Sequence, residues 1–130
     1  MLLYKELTDK IISAAYCVHK ELGCGFFEKV YQEALAILLT ERGIPFEREK
    51  HLPIVYHGQE LQCDYVADFV VDNKVILELK AVKEMESVFE AQLINYLKAT
   101  GLKVGFLMNF GQKEFHFRRM AHYQSTGKSK

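Results

Sequence analysis

The sequence predicts an α/β domain in which a mixed central sheet is flanked by helices. Three observations point there. Up to Gly43 the chain holds two amphipathic helical patterns, from Phe46 to Ala81 it alternates as strands with tight turns, and from Ser87 a further helical pattern precedes an apolar run. At 130 residues, 49% hydrophobic and 26% charged, the chain has the size and composition of one globular domain. The domain is expected to span 1–123, with 124–130 a polar, frayed tail.

Leu3, Leu7, Ile11, Ala14, Val18 and Leu22 recur at helical steps, and Gly23-Cys24-Gly25 ends that helix. His19 lies near its last turn, where a metal-ligand or general-base role competes with the commoner one of a packed or capping histidine. The second helix is expected from Phe27 to Arg42, with Val30, Ala34, Leu35, Leu38 and Leu39 as its buried stripe. Gly43 stops it and Pro45 prevents its resumption. Phe46–Tyr56 reads as a strand that turns at His57-Gly58 into a second, Glu60–Asp64, with His51 and His57 on the surface. Two further strands, Tyr65–Val71 and Val75–Ala81, meet at a turn of Asp72, Asn73 and Lys74. Ser87-Val88-Phe89-Glu90 has the form of a capping box, which places a helix from Ser87 to Gly101. Val104–Phe110 reads as a strand covered on both faces, and Glu114–Arg118 as a last strand in which Phe115 and Phe117 alternate with polar residues.

The hairpin from Tyr65 to Ala81 organises the rest. Tyr65, Ala67, Phe69 and Val71 share one side of the first strand, and Val75, Leu77, Leu79 and Ala81 share one side of the second. A two-residue turn would set Asp68 opposite Leu77, a charge in an apolar face. A three-residue turn aligns the apolar sides, pairing Val71 with Val75 and Ala67 with Leu79, and sets Asp68 opposite Glu78. Asn73 tolerates the left-handed conformation such a turn needs. Opposed residues have Cβ atoms about 4.5–5.5 Å apart, so the two carboxylates can share a hard cation, and Lys80 points to the same side. The bland alternative is a solvated Glu–Lys pair on an exposed sheet.

Asp68 followed by Glu78-x-Lys80 on the neighbouring strand resembles the pattern of the PD-(D/E)XK nuclease superfamily. Ala67 stands where a proline usually precedes the Asp. Gly25-x-x-Glu28-x-x-Tyr31 is similar to the signature of the small GxxExxY proteins within that superfamily, and the similarity runs from about His19 to Arg119. Glu28 is then either a third carboxylate aimed at the cation, with Tyr31 on the same helical face, or an acidic residue suited to a helix N-terminus. Gln92 and Tyr96, one turn apart, resemble the Gln-x-x-x-Tyr motif of recombination-type exonucleases; otherwise they are an exposed and a packed residue of a surface helix.

The resemblance implies a restriction-endonuclease-like core and metal-dependent phosphodiester hydrolysis. Mg²⁺ or Mn²⁺ would be held by Asp68, Glu78 and the backbone carbonyl of Leu79, with Glu28 as a further or bridging ligand. Lys80 would orient the attacking water or stabilise charge at phosphorus, and Gln92 and Tyr96 would support the site. The implied partner is nucleic acid, DNA or RNA. A binding or assembly module that keeps the fold without catalysis is the competing reading.

Composition sets further limits. Lys plus Arg and Asp plus Glu are both 17, a formal charge of zero, which counts against tight non-specific binding to DNA. No apolar run approaches a membrane span. Cys17, Cys24 and Cys63 form no C-x-x-C pair and read as reduced thiols, which suits the cytoplasm. One small neutral domain offers little surface to a duplex, so a homodimer is expected, with the strand around Phe115 and Phe117 a candidate contact.

Overall fold

The computed structural model describes residues 2–123; the expected frayed tail lies outside them. The elements run α1 (Lys5–Leu22), α2 (Glu28–Glu41), β1 (Phe46–Tyr56), β2 (Gln59–Val71), β3 (Val75–Lys80), α3 (Ser87–Thr100), β4 (Val104–Asn109) and β5 (His116–Ala121). The five strands form one mixed sheet in the order β1-β2-β3-β4-β5. Only β3 and β4 are parallel, joined by the crossover through α3.

Alternation along β3 explains the layers. Val75, Leu77 and Leu79 face a core shared with Ile11, Ala14, Val18, Leu35 and Leu39 of α1 and α2. Ile76 faces the other way, into a smaller core with Leu93 and Leu97 of α3. The α/β class is therefore as expected. β4 is buried along its whole length, because it lies between two strands and under helices on both faces.

Several local expectations are met. Gly23 closes α1 with its N–H donating to the His19 carbonyl at 2.7 Å, and Gly101, at φ 80°, closes α3 through Leu97. His57 and Gly58 both take positive φ, the conformation of a two-residue hairpin turn. At the next turn the register is the three-residue one, with Val71 opposite Val75, and both Asp72 and Asn73 are left-handed.

Other expectations are corrected. The strands expected at Glu60–Asp64 and Tyr65–Val71 are one continuous strand, β2, because β1 pairs along it across a single bulge near Pro53. Ser87 is the first helical residue of α3, not its cap; Glu86 holds the cap position and no side chain closes the box. The buried stripe of α2 centres on Tyr31, Gln32, Leu35, Ala36 and Leu39, since the Tyr31 hydroxyl finds the Gly23 carbonyl and the Gln32 amide oxygen accepts from the surface cations Lys29 and Arg48. β5 starts two residues later than Glu114 and runs on to Ala121. Phe115 is buried and Phe117 half-buried, packed on Tyr16, Phe106 and Phe110, which removes them as a free contact surface.

Candidate metal centre

The site forms where β2 leaves β3. Their ladder runs from Val71↔Val75 to Phe69↔Leu77 and ends one pair short of Asp68 and Glu78. Side chains take over there: the Leu79 N–H donates to Asp68 Oδ2 at 2.8 Å, and the Asp68 N–H donates to Glu78 Oε2 at 3.2 Å. Each carboxylate thus satisfies a backbone donor of the opposite strand, and the two acids are tied into one fork.

The fork has a cause on β1. Glu49 takes φ 47° in mid-strand, at the one step between the pairs Arg48↔Phe69 and Lys50↔Ala67 where pairing with Asp68 would fall. A left-handed non-glycine residue in a strand breaks the alternation. On one side of this step Phe46, Phe69 and Val71 face α1 and α2; on the other, Leu52, Tyr65 and Ala67 face α3. The expected shared face of Tyr65, Ala67, Phe69 and Val71 therefore does not hold. Tyr65 lands on the carboxylate side instead, where its hydroxyl donates to Glu78 Oε2. Its ring lies flat on Tyr96 of α3, with centroids 3.6 Å apart and planes at 9°.

Charge follows from this geometry. Burial first, then the neighbouring Asp68, pushes the Glu78 carboxyl up to about 7. Burial likewise raises Asp68; the Leu79 N–H and Lys80 oppose the rise, and Glu28 and Glu49 reinforce it. Tyr65 is raised by burial and by Glu78, so its hydroxyl stays a donor. Lys80 is half-buried, its Nζ 4.4 Å from the centre of the Phe89 ring, and its charge acts on both acids.

Of the residues expected from sequence, the fold brings together Asp68, Glu78, the Leu79 backbone and Lys80, with Tyr96 bracing them through Tyr65. Glu28 is exposed at the start of α2 and reaches Asp68 only through its charge. Gln92 is exposed one turn before Tyr96 and has no hydrogen bond to the carboxylates among the described residues. Tyr31 is not a site residue: it is fully buried, stacked on Phe110, and its hydroxyl donates to the Gly23 carbonyl at 2.6 Å. His19 packs against Phe110 and Phe115, with Nε2 2.8 Å from the Gln112 carbonyl.

Among the described residues no three His, Cys, Asp or Glu side chains converge to hold a cation. The donor set still fits Mg²⁺ or Mn²⁺. The hydrogen bonds of Asp68 and Glu78 run through Oδ2 and Oε2, which leaves Oδ1 and Oε1 for a ligand. Mg²⁺ is typically bound through one or two carboxylates, keeping several waters and taking substrate phosphate oxygens.

The model of the PD-(D/E)XK nuclease superfamily matches residues 5–120. The chain belongs to the PD-(D/E)XK nuclease superfamily. Among solved structures it is similar to the one described as "Crystal structure of SSO0001", with 17% identity and a TM-score of 0.56, over 75% of this chain and 52% of that one. A likeness at that identity speaks for the fold alone, and this chain spans about half the length of that protein. No curated protein matches. Among the described residues no helix is long and apolar enough to cross a membrane.

Sequence reasoning missed Tyr65 and Glu49. Strict alternation puts Tyr65 on the face of Phe69 and Val71, because nothing local announces the break at Glu49. It missed also the polar cluster beside them, where Lys29 pairs with Glu49 at 2.9 Å and the buried Gln32 accepts from Arg48 at 2.8 Å.

Proposed function

We propose that this protein hydrolyses phosphodiester bonds of nucleic acid with Mg²⁺ or Mn²⁺ held by Asp68 and Glu78. The observation that carries the reading is the fork, in which two half-buried carboxylates share one corner of the sheet with Lys80. Two such charges are mutually unfavourable unless a cation or proton lies between them. When bound, the cation would polarise a phosphate oxygen and make a coordinated water more acidic. The carbonyl of Leu79 is the further protein ligand in this reading, while Glu28, expected from sequence as another, stands apart from the fork and adds only its charge.

Tyr65 and the Asp68 amide fix one oxygen of Glu78, so that the other faces the cation in a set orientation. Tyr96 holds the Tyr65 ring in place. Lys80, kept near the acids by its seat over Phe89, supplies positive charge where negative charge develops in the transition state. Gln92 borders the substrate. The Gly25-x-x-Glu28-x-x-Tyr31 signature supports, in this reading, membership of the GxxExxY group, and Tyr31 braces the loop before Glu28. Three free cysteines, two of them exposed, suit a reducing compartment such as the cytoplasm. A homodimer belongs to this reading on grounds of size, and light scattering that reports a monomer at tens of micromolar would remove it.

One observation favours the competing reading of a binding or assembly module: no third acidic side chain converges with Asp68 and Glu78 among the described residues. A metal titration separates the two. Mn²⁺ or Mg²⁺ should raise the melting temperature of the wild type by linkage, and the double change Asp68→Ala, Glu78→Ala should abolish the rise. The same proteins are then assayed on single-stranded DNA, duplex DNA and RNA with each metal. Equal thermal responses would remove the metal, and an inert wild type on every substrate would leave the module reading.

A further inference from the structure

The loop entering α2 carries two aromatic rings that the core does not use. Phe27 is 71% exposed and Phe26 47% exposed, whereas the other phenylalanines are buried or half-buried. The loop itself is fixed. The buried Tyr31 hydroxyl donates to the Gly23 carbonyl and accepts from the Phe26 N–H at 3.3 Å, so both ends of the segment are pinned to one core residue. Phe26 meets the Tyr31 ring edge-on, with centroids 6.2 Å apart. Phe27 holds the N-cap position of α2 with extended backbone.

Position and charge both bear on what would cover these rings. Phe27 directly precedes Glu28, and two residues after Phe27 the Lys29 ammonium pairs at 2.9 Å with Glu49, which stands on β1 at the step across from Asp68. Arg48 lies beside Lys29 through their shared partner Gln32. The loop that carries the rings is therefore tied through Lys29 and Glu49 to the step across from Asp68, and a mixed set of charges, Glu28, Lys29, Arg48 and Glu49, lies along it. The chain as a whole is formally neutral, so counter-ion release gives it little affinity for a phosphate backbone. A neutral protein that handles a polynucleotide needs a contact insensitive to salt. Stacking of bases on aromatic rings is such a contact, and it requires a base whose face is free.

We infer that Phe27, supported by Phe26, is a stacking platform for an unpaired nucleobase, and that the polynucleotide entering the Asp68–Glu78 site is single-stranded there. This rests on the function proposed above. A paired duplex buries its base faces, so it gains nothing from the ring unless a base is flipped out.

The test is fluorescence anisotropy in EDTA, where cleavage is suppressed. The probes are a labelled single-stranded oligonucleotide, the duplex of the same sequence, and a single strand of the same length carrying abasic sites. Wild type is compared with Phe27→Ala, Phe27→Tyr and, as a control on the same helix, Ile37→Ala, whose side chain is also exposed. Wild type should prefer the single strand. Phe27→Ala should weaken that binding about tenfold, and Phe27→Tyr should stay within about twofold of wild type. On the abasic strand wild type and Phe27→Ala should bind alike, and the salt dependence of binding should not change with Phe27.

Phe27→Ala binding the single strand as tightly as wild type would overturn the inference, as would an equal loss on the abasic strand or a preference for duplex. If metal-dependent cleavage is present while binding ignores Phe27, the stacking platform falls and the function stands. If the wild type binds none of the probes and shows no thermal response to metal, both fall together. A self-association that Phe27→Ala abolishes, with oligonucleotide binding unchanged, would reassign the rings to a contact between copies.

Discussion

Replacing Glu78 by glutamine separates the charge of the fork from its shape. The amide keeps the side-chain length and an oxygen able to accept from Tyr65 and the Asp68 N–H. In the native protein, burial and then Asp68 raise the Glu78 carboxyl from an ordinary 4.5 to about 7. Between those two values the folded protein retains a proton that the unfolded chain has lost. Stability therefore falls as pH rises through the window and stays lower above it. At about 1.4 kcal/mol per pH unit, the interval from 4.5 to about 7 corresponds to about 3 kcal/mol. Solvent still reaches the half-buried carboxylate, which reduces the expected loss to about 2 kcal/mol, or about 6 °C in melting temperature for a domain of this size. Melts in EDTA from pH 5 to pH 8.5 read this directly. The wild type should lose that stability across the range, Glu78→Gln should lose much less, and the variant should be the more stable protein at pH 8. Asp68, raised in the same direction, steepens the wild-type profile. Parallel profiles for the two proteins would refute the argument that burial and Asp68 hold a penalty at Glu78.

Three further outcomes are expected. Lys80→Ala should still show the metal-induced rise in melting temperature yet cleave about 10²-fold more slowly, since its charge acts in the transition state; Lys74→Ala, whose side chain pairs with Asp72 at the hairpin turn, should cleave as wild type. Gly111→Ala should cost about 3 kcal/mol in urea unfolding, because the added Cβ would collide with the backbone of Ala81 and Val82; an unchanged midpoint would show that the segment after β3 yields easily. Tyr31→Phe should cost about 1–2 kcal/mol by leaving the Gly23 carbonyl without its donor, and a neutral result would mean that water replaces the hydroxyl.

The fold class, the helix ends and the hairpin register were written in the chain. Glycines at 23, 43 and 101 stop the helices through a conformation that other residues avoid. The apolar run at Val104–Phe110 marks a central strand because only a strand covered on both faces tolerates so little polarity. The register at Val71↔Val75 followed because a one-residue slip would turn every side chain over. The same spacing is what sets Asp68 near Glu78 and Lys80, and the resemblance to the PD-(D/E)XK pattern is what marked them as a candidate site.

The rest depends on residues distant in sequence. Ser87 has the local form of a cap, yet the chain enters α3 with Glu86 at that position. Tyr31 reads as a neighbour of Glu28 on one helical face, but Phe110 and the Gly23 carbonyl draw it into the core. Glu28 shares a signature with the site and still stands apart from Asp68 and Glu78. Periodicity, turn chemistry and helix stops are set by a few consecutive residues, so the sequence by itself determined them. The direction in which β2 leaves β3 is set by the left-handed step at Glu49 on a third strand and by Tyr96 receiving Tyr65 from a helix. That is why the fork, the weakened acidity of its carboxylates and the place of Tyr65 within it were decided only by the tertiary structure.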